Sequence, residues 1–152
     1  MVMAVDKTLG KATMKTGPAV AEEYFALSEL LENNIRLARN LSDPARTAPD
    51  KQELAHTILG SKLSEPALAG VLELAAGRWS SELDLQEACR LLANHVLLKT
   101  AQDNGQLEDV ERDIFAMSQL VSKNRDLRNF LTDNHRAPLD QRLETFNSLV
   151  GK

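Results

Sequence analysis

The chain has 152 residues, which is enough for the core of one ordinary domain or of two small ones. Hydrophobic residues make up 43% of it and charged residues 26%, as in a soluble globular protein, and the aromatic fraction of 4% predicts an aliphatic core. The net charge of −4 argues against a nucleic-acid partner, because binding to phosphates requires clustered Lys and Arg.

The single cysteine, Cys89, excludes an internal disulfide and a thiolate metal cluster, which fits a reducing, cytoplasmic compartment. No run of apolar residues approaches the roughly 18 that read as a membrane span, so we expect no direct insertion into a membrane. Residues 1–16 carry three lysines and lack the apolar run of a signal peptide. We expect them to form a flexible polar tail.

Four helices are predicted over residues 17–82, because apolar residues recur at helical spacing between recognisable start and stop signals. Proline suits the first turn of a helix, where its missing N–H has no partner, and glycine suits the end. The predicted starts are Pro18, Ile35, Ala48-Pro49 and Ser64-Glu65-Pro66, and the predicted stops are Asn33-Asn34, Ser42-Asp43, Gly60 and Gly77.

A fifth helix is predicted from a cap at Ser80 or Ser81 to Gly105, about 22 residues long. One narrow apolar stripe of this helix consists of Leu85, Cys89, Leu92 and Val96. Other apolar residues lie on different sides, which allows two interpretations. Either the helix is central and touches both copies of the repeat described next, or its additional apolar surface is a groove for a partner helix. That surface comprises Leu91, His95, Leu98 and Ala101.

The chain contains an internal repeat. The segment FALSELLENNIRLARNLSDPAR begins at Phe25, and FAMSQLVSKNRDLRNFLTDNHR begins 90 positions later at Phe115, with 9 of 22 positions identical. A duplicated structural unit explains this similarity, and we expect the copies to superpose, with Asp43 equivalent to Asp133 and each ordering its turn. Six leucines should be mostly buried: Leu30, Leu37, Leu41, Leu120, Leu127 and Leu131.

The predicted fold is all-α, a helical bundle of about seven or eight helices with no sheet, because no segment alternates at a period of two. We assign residues 17–82 to the first helical repeat and residues 83–152 to the long helix plus the second repeat. The second copy stops after Lys152, whereas the first continues with further helices. We therefore interpret the chain as truncated before a missing C-terminal domain.

The sequence contains no recognisable catalytic residues. Three histidines, His56, His95 and His135, fall in different elements without a second ligand at metal-binding spacing, so no metal site is predicted. Nucleophile motifs are missing, and Cys89 is interpreted as a small core residue. We accordingly predict no cofactor and no enzymatic activity.

Several motifs resemble the delta subunit of bacterial F-type ATP synthases, in particular its actinobacterial form. They are LSDPAR, ILGSK, RWS and VERDIF, in this order, and the likeness extends from about Tyr24 to Lys152. The chain is also similar in its later half to the mitochondrial oligomycin-sensitivity-conferring protein.

The resemblance implies a non-catalytic stator subunit, peripheral on the cytoplasmic side of the cell membrane. In the family, the N-terminal domain holds the N-terminal helix of an alpha subunit between its first and fifth helices, and the C-terminal domain holds the b subunit. The first of these helices aligns approximately with residues 88–102, and the fifth would follow Lys152. The alternatives are a small helical regulator that binds RNA or a transcription factor, which the acidic charge disfavours, and a small helical enzyme, which would require clustered titratable groups.

Overall fold

The computed structural model describes residues 17–132 and 138–150, and these form eight helices and no strand, which confirms the all-α prediction. None of these helices is both long and apolar enough to cross a membrane. The helices are α1 (Gly17–Asn33), α2 (Ile35–Ser42), α3 (Ala48–Leu59), α4 (Glu65–Ala76), α5 (Glu82–Asp103), α6 (Leu107–Lys123), α7 (Arg125–Thr132) and α8 (Leu139–Val150).

Local capping explains where the helices begin. The Thr47 hydroxyl accepts a hydrogen bond from the Asp50 backbone N–H at the start of α3. Ser81 and Asp84 form a reciprocal capping box at the start of α5, and proline occupies the first turn of both α3 and α4. Because these contacts satisfy backbone N–H groups that have no partner within the helix, short sequence signals are enough to set the boundaries.

The internal repeat is visible in the helix bounds. Helices α1 and α6 have 17 residues each and α2 and α7 have 8 each, and both pairs are offset by 90 positions. Helices α3 and α8 have 12 residues each, with α8 one residue later than that offset. Asp43 orders its turn by accepting a hydrogen bond from the Ala45 N–H at 2.8 Å, as expected. Its equivalent, Asp133, lies outside the described residues, as do residues 1–16.

The chain divides into two compact units, one ending at Gln106 and the other beginning at Leu107. The division of the repeats at residues 82 and 83 stays a prediction. In the first unit, α1 to α5 surround an aliphatic core, and the stripe predicted along α5 is buried. The fully buried side chains of largest volume are Leu31, Leu59, Leu74, Val96 and Cys89.

The second unit contains α6 to α8, and among its described side chains Leu127 alone is buried. Of the six leucines expected in the core, Leu41 is also buried, and Leu30, Leu37 and Leu131 are partly buried. The prediction is wrong for Leu120, which is 44% exposed. The described residues of this unit include no counterparts of α4 and α5, the helices that pack against α1 in the first unit.

Candidate partner-binding surface

Helix α5 is the element that carries the predicted site, and its inner side is fixed in the core. Cys89 is 1% exposed, and burial raises the pKa of its thiol to about 12. A thiol with such a pKa stays protonated at neutral pH and is a poor nucleophile or metal ligand. Cys89 is therefore a packing residue, and the functional surface must lie on the other sides of α5.

The four residues predicted for the site do not share one environment. Leu91 and Leu98 are 54% and 45% exposed and lie two turns apart on the same side of α5. His95 lies between them in the sequence and is half-buried. Ala101 is buried, so the structure removes it from the freely accessible surface. It lies about 60° around the helix axis from Leu98, on the side that faces α1.

Helices α1 and α5 pack antiparallel, and polar contacts define their register. The Ser28 hydroxyl donates to the Gln86 carbonyl oxygen at 3.2 Å and accepts from Arg90 Nε at 3.0 Å. Arg90 also forms an ion pair with Glu32 at 3.6 Å. Near the other end of the pair, a Cβ added at Gly17 would overlap the Thr100 side chain, so the two backbones approach closely there.

This register identifies two further surface residues that the sequence reasoning did not select. Phe25 is seven residues before Glu32, and Leu97 is seven residues after Arg90, so the helical repeat places them along the same edge of the α1 and α5 interface. Phe25 is 39% exposed and Leu97 is 38% exposed. The only sequence signal was that each lies off the buried stripe of its own helix. We call Phe25, Leu97 and Leu98 the α1/α5 edge.

The described residues offer no catalytic or metal-binding cluster to compete with this surface. No group of three or more His, Cys, Asp or Glu side chains in the described part of the chain is arranged to hold a metal ion. His56 is exposed on α3, His95 is on α5, and His135 lies outside the described residues. Tyr24 is buried, and burial raises the pKa of its phenol. The arrangement is suited to binding an apolar helix.

Comparison with known proteins gives the family relationship. No family model matches the chain. The delta subunit of ATP synthase from Streptomyces avermitilis is 39% identical over 132 residues, which cover 87% of this chain and 48% of that protein. The chain is a relative of ATP synthase delta subunits. The Salinispora tropica delta subunit is 33% identical over 96% of this chain and 53% of its own length. ATP synthase subunit b-delta of Mycobacterium sp. (strain KMS) is 31% identical over 88% of this chain and 30% of its own length.

These relatives confirm the resemblance to the delta subunit that the motifs indicated. The chain spans about half the length of the delta subunits it matches.

Proposed function

We propose that the chain acts as part of the stator of an F-type ATP synthase, where it holds the N-terminal helix of an alpha subunit. The observation that carries the proposal is the 39% identity with a delta subunit over 87% of the chain, joined to an exposed apolar edge on α1 and α5. A stator resists rotation, and this role requires affinity and stiffness rather than an active site. The subunit would be peripheral on the cytoplasmic side of the membrane, and the b subunit would be held by a C-terminal domain beyond this chain.

The structure changes where we place the alpha-subunit helix. The resemblance implies a site between a first and a fifth helix, and the alignment of residues 88–102 with the first helix would leave that site incomplete. In the first unit, however, α1 and α5 are the first and fifth described helices, and they are in contact. This pairing supports a site on the α1/α5 edge of the present chain.

The geometry of α5 also supports this placement. Leu97 and Leu98 are consecutive, so they project about 100° apart, and a partner helix lying between them contacts both. Phe25 extends the same apolar edge onto α1. Leu91 and His95, which were also predicted for the site, lie farther around α5 and would border the partner helix. Such a helix would use apolar anchors at i, i+3, i+4 and i+7.

Calorimetric titration of the 152-residue chain with a synthetic peptide of the alpha-subunit N-terminal helix tests the proposal. Leu97→Asp and Leu98→Asp should each weaken binding at least about 10-fold, as expected for central apolar contacts. Leu91→Asp is the matched control on the same helix and should have a smaller effect. Circular dichroism of each free variant verifies that the chain remains folded.

Two results would contradict the proposal in different ways. The absence of saturable binding by the unmodified chain would overturn the function proposed for it. Strong weakening by Leu91→Asp with no effect of Leu97→Asp would instead move the partner helix to the outer side of α5. Titration with RNA serves as the test of the regulator alternative, and the net charge of −4 predicts no binding at physiological salt.

A further inference from the structure

Helix α6 has an apolar face without a partner in the described structure. It repeats α1 in length and in the spacing of its apolar residues, yet none of its residues is buried. Ile114 and Phe115 are 59% and 65% exposed. Exposed apolar faces of this kind mark interaction surfaces, and the other copy of the repeat shows what such a helix binds.

In the first copy, α1 binds α5, and Ser28 is at the centre of the contact. Its hydroxyl bonds to Gln86 and Arg90, as described above. The equivalent residue in α6 is Ser118, an identical side chain that is exposed. The copy therefore retains a hydroxyl in position to contact an antiparallel helix that has an arginine where α5 has Arg90.

One position of α6 differs from α1 in a way that specifies the partner. Ala21 is seven residues before Ser28, so the antiparallel register places it opposite Ala93 and Leu97, and it is 1% exposed. Its equivalent in α6 is Glu111. Among the residues that the structure describes, Glu111 has no ion-pair partner, whereas the neighbouring Asp109 pairs with Arg112.

A helix identical to α5 would fit α6 poorly at this position. It would cover the Glu111 carboxylate with alanine and leucine, and burying a charge without a partner is costly. A helix with a basic residue in place of Leu97 would pair with Glu111 instead. The acidic side chain thus distinguishes a separate basic partner from the α5 helix of a second copy of this chain.

We propose that α6 binds an antiparallel amphipathic helix from another protein, with an aliphatic stripe and two basic residues seven positions apart. The first basic residue would contact Ser118, as Arg90 contacts Ser28, and the second would pair with Glu111. Phe115 would border the contact as Phe25 borders the first. This second binding surface goes beyond the stator function and does not depend on it, since it follows from the internal repeat alone.

Three synthetic peptides test the proposal by calorimetric titration of the 152-residue chain in reducing buffer. The first has the sequence of residues 81–106, the second adds Leu97→Arg, and the third adds Leu91→Arg. The two altered peptides have the same charge, but only the first substitution faces Glu111 in the proposed register. We expect the Leu97→Arg peptide to bind at least about 10-fold more tightly than the other two.

Replacing the acceptor in the chain localises the effect. Glu111→Ala should remove the preference for the Leu97→Arg peptide, and because Glu111 is exposed, this variant should fold normally. Equal binding of all three peptides, or of none, would overturn the proposal, as would a preference that persists in Glu111→Ala. Tighter binding of the unaltered peptide would also overturn it, since it would identify the α5 helix of a second copy as the occupant.

Discussion

Helices α1 to α3 and helices α6 to α8 have nearly the same sequence pattern and the same lengths, yet only the first set takes part in a well-buried core. Leu31 is 1% exposed, whereas its equivalent, Val121, is only half-buried. Helix length depends on neighbouring residues, through caps and breaks. Burial depends on elements distant in the sequence, and the first unit has α4 and α5 while the described part of the second has no equivalent.

The second copy has nevertheless kept its apolar positions. Tyr24, Leu27 and Leu31 face the core from α1, and the equivalent residues in α6 are Ile114, Met117 and Val121. An exposed helix has no physical need for an aliphatic stripe, because such a stripe promotes association. The retained stripe therefore supports the view that α6 acts against another helix.

The largest expected difference between the units is in core truncation. Leu41→Ala should lower the free energy of unfolding by about 2–5 kcal/mol, because Leu41 is 2% exposed and its removal leaves a cavity. Leu120→Ala, at an exposed position of α6, should change it by less than about 0.5 kcal/mol. Urea denaturation followed by circular dichroism measures both. A similar cost for the two variants would show that α6 is buried in solution.

The same contrast shows which features the sequence could predict. The caps at Thr47 and Ser81 and the break at Asn34 follow from side chains within one turn, and these predictions are confirmed. The error at Leu120 arose because the repeat carries over the helical pattern but not the surrounding helices. The α1/α5 edge was missed because Phe25 and Leu97 lie 72 positions apart in the sequence, and only the register of two packed helices aligns them.

A glycine inside the first core provides the next prediction. A Cβ added at Gly70 would overlap the Tyr24 hydroxyl, and it would lie 3.4 Å from Leu92 Cδ2. Gly70→Ala should therefore destabilise the chain by about 1–3 kcal/mol through overpacking, although alanine favours the helix. Tyr24→Phe removes the overlapping oxygen, which donates only a 3.4 Å hydrogen bond to the Pro66 carbonyl oxygen. The cost of Gly70→Ala should be smaller in that background, and an unchanged cost would mean that the backbone moves instead.

The two units should also differ in their response to alkaline pH. An unfolded thiol loses its proton near a pKa of about 8.5, whereas the pKa of folded Cys89 is about 12. Between these values the folded state binds more protons, so the free energy of unfolding falls as pH rises, by about 1.4 kcal/mol per pH unit for one group. Tyr24, whose pKa is raised by burial and by Glu23, adds to the decline at higher pH. Denaturation between pH 7 and 11 should show a shallower slope for Cys89→Ala. Both groups belong to the first unit, so an equal slope would contradict this assignment.

The smallest expected effect compares two identical residues in the two copies. Ser28 is 2% exposed and bonds to both Gln86 and Arg90, so Ser28→Ala should cost about 1 kcal/mol by leaving the arginine one partner short. Ser118→Ala removes an exposed hydroxyl from a helix, where alanine is the better helix former, so it should stabilise the chain by up to about 0.5 kcal/mol. Thermal or urea denaturation of the two variants measures effects of opposite sign. Adding the Leu97→Arg peptide sharpens the comparison, because Ser118→Ala should then weaken peptide binding while Ser28→Ala leaves it unchanged. If the two serines behave alike with and without the peptide, α6 does not use the hydroxyl in the way that α1 does.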